Sequence, residues 1–235
     1  MGGLGYILVL LLAGAAYLLY RFVHHCLAVS EIDWGRGWMN LIDGCNRLFC
    51  RYYHRLEPVP LAIPESGPAI VVSNHISGLD PLLMTACSHR PLRFLIAREQ
   101  YRRFGLRWLF HAMGCIPVDR EHSPEKALRT AFKALRAGEV IALFPHGKIH
   151  LDSDPPRRLK AGAARLAINT GAPLIPLRIS GVRLQGSVIW PVLFRAHARV
   201  TPFPPIDPRG QETQDLLEQI RACIESPPQD SPQVN

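Results

Sequence analysis

The segment Val72-Ser-Asn-His-Ile-Ser-Gly-Leu-Asp-Pro81 places a histidine and a carboxylate five residues apart. An imidazole can take up a proton near neutral pH. A carboxylate bonded to its other ring nitrogen fixes the tautomer and stabilises the imidazolium that forms. Four intervening residues suffice for a turn that joins the two side chains, so His75 and Asp80 suit proton removal from a hydroxyl or from water. Asp80 before Pro81 also has the form of a helix N-cap, and a loop histidine needs no chemistry at all. On spacing alone these readings stay open.

Three further segments carry residue types that bind or shape ligands. Gly114-Cys-Ile-Pro-Val-Asp-Arg120 ends in an arginine, whose planar fork of donors suits phosphate; the plainer alternative pairs Arg120 with Asp119 or Glu121. Phe144-Pro-His-Gly-Lys148 ends a strand in a glycine turn where backbone can approach a ligand closely. Lys148, Arg157, Arg158 and Lys160 make its neighbourhood basic, as a solvated loop would also be. His146 and His150 have the spacing of a metal pair but lack an evident third ligand, so no metal is expected. In Gly171-Ala-Pro-Leu-Ile-Pro-Leu177 the prolines limit ladder hydrogen bonds, which predicts an edge strand lining a groove.

These segments need elements to bring them together. Short β-branched or apolar runs predict strands at 69–73, 93–97, 115–118, 140–144, 174–179 and 199–203. Helices are predicted at 81–87, 101–113, 160–169 and 212–225. A further helix starts at Ser123 and Pro124 and ends at Gly138, with Ala127, Leu128, Ala131, Phe132 and Leu135 on one face. Such alternation predicts one α/β domain at 58–225, a mostly parallel mixed sheet flanked by helices. Each chemical segment follows a strand or opens a helix, so all can converge at one end of the sheet, where ligands bind.

Residues 1–20 contain no charged side chain, and the apolar run continues past Arg21 to position 29. That length fits an N-terminal membrane-anchoring helix at 1–29, spanning or dipping into one leaflet. The absence of Lys or Arg before the run favours a retained anchor over a cleaved signal peptide. Positive charges after it predict a cytoplasmic catalytic domain. Residues 34–55 mix Trp, Tyr and Phe with Arg, which suits an amphipathic helix on the membrane or an ordinary surface helix; with its linker it fills 30–57. The tail at 226–235 is rich in Pro, Gln and Ser and is expected to be disordered. The net charge of +8 is dispersed, without the basic ribbon of a nucleic-acid binder. None of the six cysteines forms a Cys-x-x-Cys pair, as suits a reducing compartment.

Taken together the four segments resemble the glycerolipid acyltransferase family, whose best-known members acylate 1-acylglycerol-3-phosphate. Asn74, His75 and Asp80 match its Asn-His-x4-Asp block, and Gly114, Ile116, Val118 and Arg120 match Gly-x-Ile-x-Val-x-Arg. The Pro-rich strand at 173–177 is similar to the fourth block. The third block, usually Phe-Pro-Glu-Gly-Ser/Thr-Arg, here reads Phe144-Pro-His-Gly-Lys-Ile149, so basic charge is kept but moved by one residue. The resemblance implies that His75, oriented by Asp80, takes the proton of a lysophospholipid hydroxyl, which attacks the thioester of acyl-CoA or acyl-carrier protein. It implies no metal and no cofactor beyond that thioester co-substrate. It carries acceptor binding to Arg120, Pro145 and Gly147, and Arg98 stands where a family lysine is common. The expected substrate-binding set is Asn74, Arg98, Gly114, Arg120, Pro145, His146, Gly147, Lys148 and Lys160. Another lysolipid or glycerol-3-phosphate as acceptor, or a membrane-bound thioesterase, are the alternatives. A serine esterase is disfavoured because the chain has no Gly-x-Ser-x-Gly elbow.

Overall fold

A computed structural model of the chain describes residues 3–102, 105–120 and 123–225; the tail expected to be disordered lies outside them. In chain order the elements are α1 (Gly3–Val29), α2 (Gly37–Leu48) with a turn of π-helix at Phe49–Tyr53, β1 (Ala69–Ser73), α3 (Asp80–Ala86), β2 (Leu92–Ala97), α4 (Arg98–Tyr101), α5 (Arg107–Ala112), β3 (Ile116–Val118), α6 (Pro124–Arg136), β4 (Val140–Leu143), α7 (Gly162–Thr170), β5 (Leu174–Ser180), α8 (Trp190–Leu193), β6 (Arg199–Pro202) and α9 (Thr213–Ile224). The helix expected at 101–113 is broken into α4 and α5, with Gly105, a poor helix former, between them.

The six strands form one sheet in the order β3-β2-β4-β1-β5-β6. All neighbours are parallel except β5 and β6. β1 is central and buried along its whole length, as its Ala-Ile-Val-Val-Ser sequence requires. Alternate residues face opposite ways: Val71 meets the cluster of Leu79, Leu83 and Met84, whereas Ile70 and Val72 meet Ala131 and Leu135 of α6, Ala163 and Ala167 of α7, and Leu216 and Ile220 of α9. Helix α6 ends in a Schellman motif, with the Gly138 and Glu139 amides donating to the Leu135 and Ala134 carbonyls at 2.9 and 3.0 Å.

The expectation that 173–177 forms an edge strand is corrected. β5 lies inside the sheet, between β1 and β6. Pro176 is tolerated because its missing N–H points toward β6 at the end of that ladder, where Phe203 still donates to the Pro176 carbonyl at 3.0 Å. The pairing with β1 is untouched, with Pro176 opposite Val72.

Helix α1 is one continuous apolar helix; its Gly5–Val29 stretch has a mean hydropathy of 2.0 and none of its most apolar window is buried. That suffices by length and composition to cross a membrane. Its last turns pack on α2, where Cys26 and Cys45 lie 3.4 Å apart and the Ser30 hydroxyl donates to Asp43 at 3.0 Å. Helix α2 buries Met39, Asp43, Gly44 and Arg47, so one side serves the domain. Arg47 is its clasp: it donates to Asp43 at 2.8 Å, to the Ala86 carbonyl at 2.9 Å and to the Ser88 carbonyl. Removing the guanidinium takes the cationic partner from the buried Asp43 carboxylate and leaves the Ala86 and Ser88 carbonyls without theirs. Arg47→Ala should therefore lower stability by about 3–5 kcal/mol, read as a shift of the urea midpoint, with α2 loosened from the end of α3.

Candidate active site

β1 delivers Asn74 and His75 to the end of the sheet, and the chain then turns sharply into α3. Asp80 organises that turn. Its side chain is fully buried, and Oδ2 accepts the backbone amides of Ile76 at 2.7 Å and Ser77 at 2.8 Å. The Ser77 hydroxyl donates to Oδ1 at 2.6 Å. Oδ2 also lies 2.8 Å from His75 Nδ1. Asp80 is thus the first residue of α3, and its carboxylate reaches back rather than capping the helix. With Nδ1–H donating to Asp80, Nε2 carries the ring's lone pair.

The His75 ring stacks on Phe144, with centroids 4.0 Å apart and planes within 14°. This contact follows from register: Val72 lies opposite Leu143 where β1 and β4 run parallel, so the residues just past both strands emerge side by side. The loop after Phe144 is pinned to His75 as well, the His150 amide donating to the His75 carbonyl at 2.7 Å.

His75 opens onto a cavity of about 1180 Å³. Most of its wall is apolar, including Leu82, Phe94, Leu109, Phe110, Ile189 and Leu193. Arg120, Lys148 and Lys160 line it too, beside Pro145 and Gly147. Gly147 has φ +74, and a methyl built there would lie 2.6 Å from Lys160 Cε and 2.7 Å from Nζ. Its bare α-carbon therefore gives Lys160 its place, and the Lys160 amide donates to the Pro145 carbonyl at 2.9 Å. Loss of surrounding water, then the nearby Arg120 and Arg157, hold the Lys160 pKa below its ordinary value. Like charges converging in this way make a site for an anion. Arg120 is only loosely paired, 3.6 Å from Glu99, because Asp119 is taken by Arg98 at 2.7 Å. Glu121 lies outside the described residues.

Four expected substrate-binding residues do not reach the cavity wall. Asn74 is buried, and its side-chain amide is stitched to β5: Nδ2 donates to the Ile179 carbonyl at 2.8 Å and Oδ1 accepts its amide at 2.7 Å. It positions the strand end that carries His75. Arg98 is committed to Asp119. Gly114 sits against the Arg93 side chain. His146 is 3% exposed, lies 3.2 Å from Glu225 and stacks on His150 at 4.5 Å. Burial holds its pKa below the histidine norm against the pull of Glu225, so a neutral ring stands there rather than a cation for a phosphate. Ile149, in the position of the family's arginine, contributes an apolar wall instead.

Phe144, Ser77 and Gly78 carry roles that the sequence pattern does not announce. Ser77 was readable as a hydroxyl three residues before a buried Asp. Gly78 is required by contact: its amide donates to the Ser187 carbonyl at 3.1 Å, and a methyl on it would lie 2.0 Å from the Val188 carbonyl oxygen.

Comparison with known proteins places this geometry. A family profile described as Acyltransferase matches residues 53–180, more than half of the chain. A Mycoplasma genitalium protein named "Probable 1-acyl-sn-glycerol-3-phosphate acyltransferase" is 33% identical over 126 residues, covering 51% of this chain and 46% of that protein. An Arabidopsis thaliana N-acylphosphatidylethanolamine synthase is 29% identical over 143 residues, covering 57% and 50%. The chain thus spans about half the length of these relatives. In fold it is similar to the crystal structure of the 1-acyl-sn-glycerophosphate acyltransferase PlsC from Thermotoga maritima, with a TM-score of 0.65 and 19% identity over 82% of this chain and 80% of that one. With that fold and a profile match that encloses the His75–Asp80 turn, the chain belongs to the acyltransferase family.

Proposed function

We propose that this chain is a membrane-bound acyltransferase that moves a fatty acyl group from acyl-CoA or acyl-carrier protein to the free hydroxyl of a lysophospholipid, most simply 1-acylglycerol-3-phosphate. The observation that carries this reading is the pairing, in one cavity, of an Asp-held histidine with an apolar wall and a cationic end. A lysophospholipid has the same three parts: a hydroxyl, an acyl chain and a phosphate. The unburied apolar α1 supports attachment to a membrane.

The chemistry follows from the atoms. His75 Nε2 takes the proton of the acceptor hydroxyl as its oxygen attacks the thioester carbonyl. The C–O bond forms and the C–S bond breaks, and the departing thiolate takes the proton back from the imidazolium. Asp80 steadies the positive ring throughout. The thioester is already activated, so this route needs no acyl-enzyme and no Lewis acid. Arg120, Lys148 and Lys160 hold the phosphate, with Lys160 taking over the work of the arginine that the third block lacks.

Two outcomes test this division of roles. Asp80→Asn keeps the shape of the carboxylate but sets an NH2 group against backbone donors; kcat should fall by about two to four orders of magnitude with little change in acceptor KM. An unchanged kcat would remove Asp80 from the mechanism.

Lys160 gives a pH signature. Because its pKa is lowered, it loses its charge before an ordinary lysine does as pH rises. KM for a phosphate-bearing acceptor should therefore climb with pH below the usual lysine range. Lys160→Arg should flatten that climb, since guanidinium stays protonated, and Lys160→Ala should raise KM about ten- to hundredfold at neutral pH. A panel of acceptors with and without phosphate, assayed by thiol release, checks both.

A further inference from the structure

The loop between β4 and α7 brings Pro145, Gly147, Lys148, Ile149 and Lys160 to the cavity, yet it contains no helix or strand. Loops of this length without structure of their own are uncommon in compact domains and are usually functional. Its first turn closes with the Gly147 amide donating to the Phe144 carbonyl at 2.9 Å. The residues of that turn have different partners. Phe144 lies on His75, and Gly147 meets Lys160. His146, between them, is 3% exposed and does not line the cavity. No step of the proposed reaction uses it.

One corner of the domain grips this loop, where α9 ends beside β5. Glu225, just past α9, lies 3.2 Å from His146 Nε2. Arg221 of α9 lies 3.5 Å from the other Glu225 oxygen and donates to the Arg157 carbonyl at 3.3 Å. Arg178 of β5 donates to the Ile224 carbonyl and, at 2.5 Å, to Asp152. Charged groups of that corner thus reach the loop at 146, 152 and 157. His150 stacks on His146, its Nδ1 lies 3.5 Å from Asp154, and its amide bonds to the His75 carbonyl. Among the described residues His146 Nδ1 has no hydrogen-bond partner, so Glu225 is the ring's one polar hold. Losing it would leave a buried ring with none. A carboxylate at position 146, the usual acid of the family block, would face Glu225 across the same gap. The histidine that stands there is matched by an acid delivered from α9.

We propose that His146 and Glu225 form a positioning pair, through which the C-terminal end of α9 holds the turn 144–147 and sets Lys148 and Lys160 where the acceptor phosphate binds. This rests on the reading of a phosphate-bearing acceptor given above. The path from the pair to the cations is short. The Lys160 amide bonds to the Pro145 carbonyl, and the Lys160 side chain lies over the bare α-carbon of Gly147. A turn released at His146 therefore loses both seats of Lys160 at once. The bonds that hold His75 to Asp80 lie within the turn 75–80 and do not pass through residue 146. The pair accordingly governs acceptor binding rather than proton transfer.

The test compares His146→Gln, Glu225→Gln and the two together in the full chain. Each single change should raise KM for 1-acylglycerol-3-phosphate about tenfold, leave KM for the thioester unchanged and keep kcat within about twofold. Together they should cost no more than either alone, as the two ends of one contact do. His146→Glu should raise the acceptor KM by a similar factor, and adding Glu225→Gln to it should recover most of the loss, since an amide can donate to a carboxylate. A merely structural role would lower kcat through the fraction of folded protein and leave KM unchanged, and that result would overturn the proposal. So would effects that multiply in the double variant, or an acceptor KM indifferent to His146→Glu. Hydrogen exchange needs no turnover: the amides of Gly147, His150 and Lys160 should exchange faster in both single variants, while that of Ser77, bonded to Asp80, should not. Unchanged exchange at those three amides would also count against the pair. Absence of transfer by the unaltered chain to any acceptor would instead sink the proposed activity, and exchange would still read the hold of α9 on the loop.

Discussion

The carboxylate of Asp80 is the constraint on which the site depends. An ionised carboxylate fully out of water is tolerable only if its oxygens are bonded. Here the turn from β1 to α3 wraps around it, supplying two amides, one hydroxyl and the His75 ring. The same bonds that satisfy the buried charge fix the path of residues 75–80 and the orientation of the imidazole. Folding and chemistry therefore share one set of contacts. Asn74 completes the arrangement from the other side by locking the end of β1 to β5 through two bonds with Ile179.

The sheet explains why everything else arrives at the same place. Parallel neighbours β4 and β1 end in register, so Phe144 lies against His75 and the loop that follows brings Gly147 and Lys148 to the cavity. The strand β3 brings Arg120 from the far side of β2. Electrostatic sorting then decides which cations stay available: Arg98 is committed to Asp119, whereas Arg120 and Lys160 converge on the cavity. The third block departs from the family pattern at His146, Lys148 and Ile149, and the structure places the side chains around it. His146 is turned inward to Glu225, Ile149 joins the apolar wall, and positive charge comes from Lys160 across the open face of Gly147.

Much of this was legible in the sequence, for physical reasons. Strand and helix positions followed from periodicity because buried parallel strands read as apolar runs and α6 carries its start and stop signals openly. The His75–Asp80 pair was visible as spacing, and the companion blocks gave it context. What the sequence hid was direction. Asn74 and His75 are adjacent, yet one faces the cavity and the other the sheet, and only the packed strands decide which. The prolines of β5 suggested an edge, but the missing donor of Pro176 falls at the end of the β6 ladder, where its loss is local. Arg98 and Arg120 look equivalent as residues; the carboxylate that each one meets makes them different. Phe144 as a platform and Gly78 as a contact point come from elements far apart in the chain, which no local pattern encodes.

The central claim is that His75 transfers a hydroxyl proton so that an acyl group moves to a lipid. The most direct test incubates a membrane lipid extract with acyl-CoA and the purified chain, beside its His75→Ala variant, and compares the lipids by mass spectrometry. The predicted result is a lipid that gains the mass of one acyl group, with an equal release of thiol, in the unaltered chain alone. Free fatty acid as the sole product, or the same acylated lipid from both proteins, would contradict it.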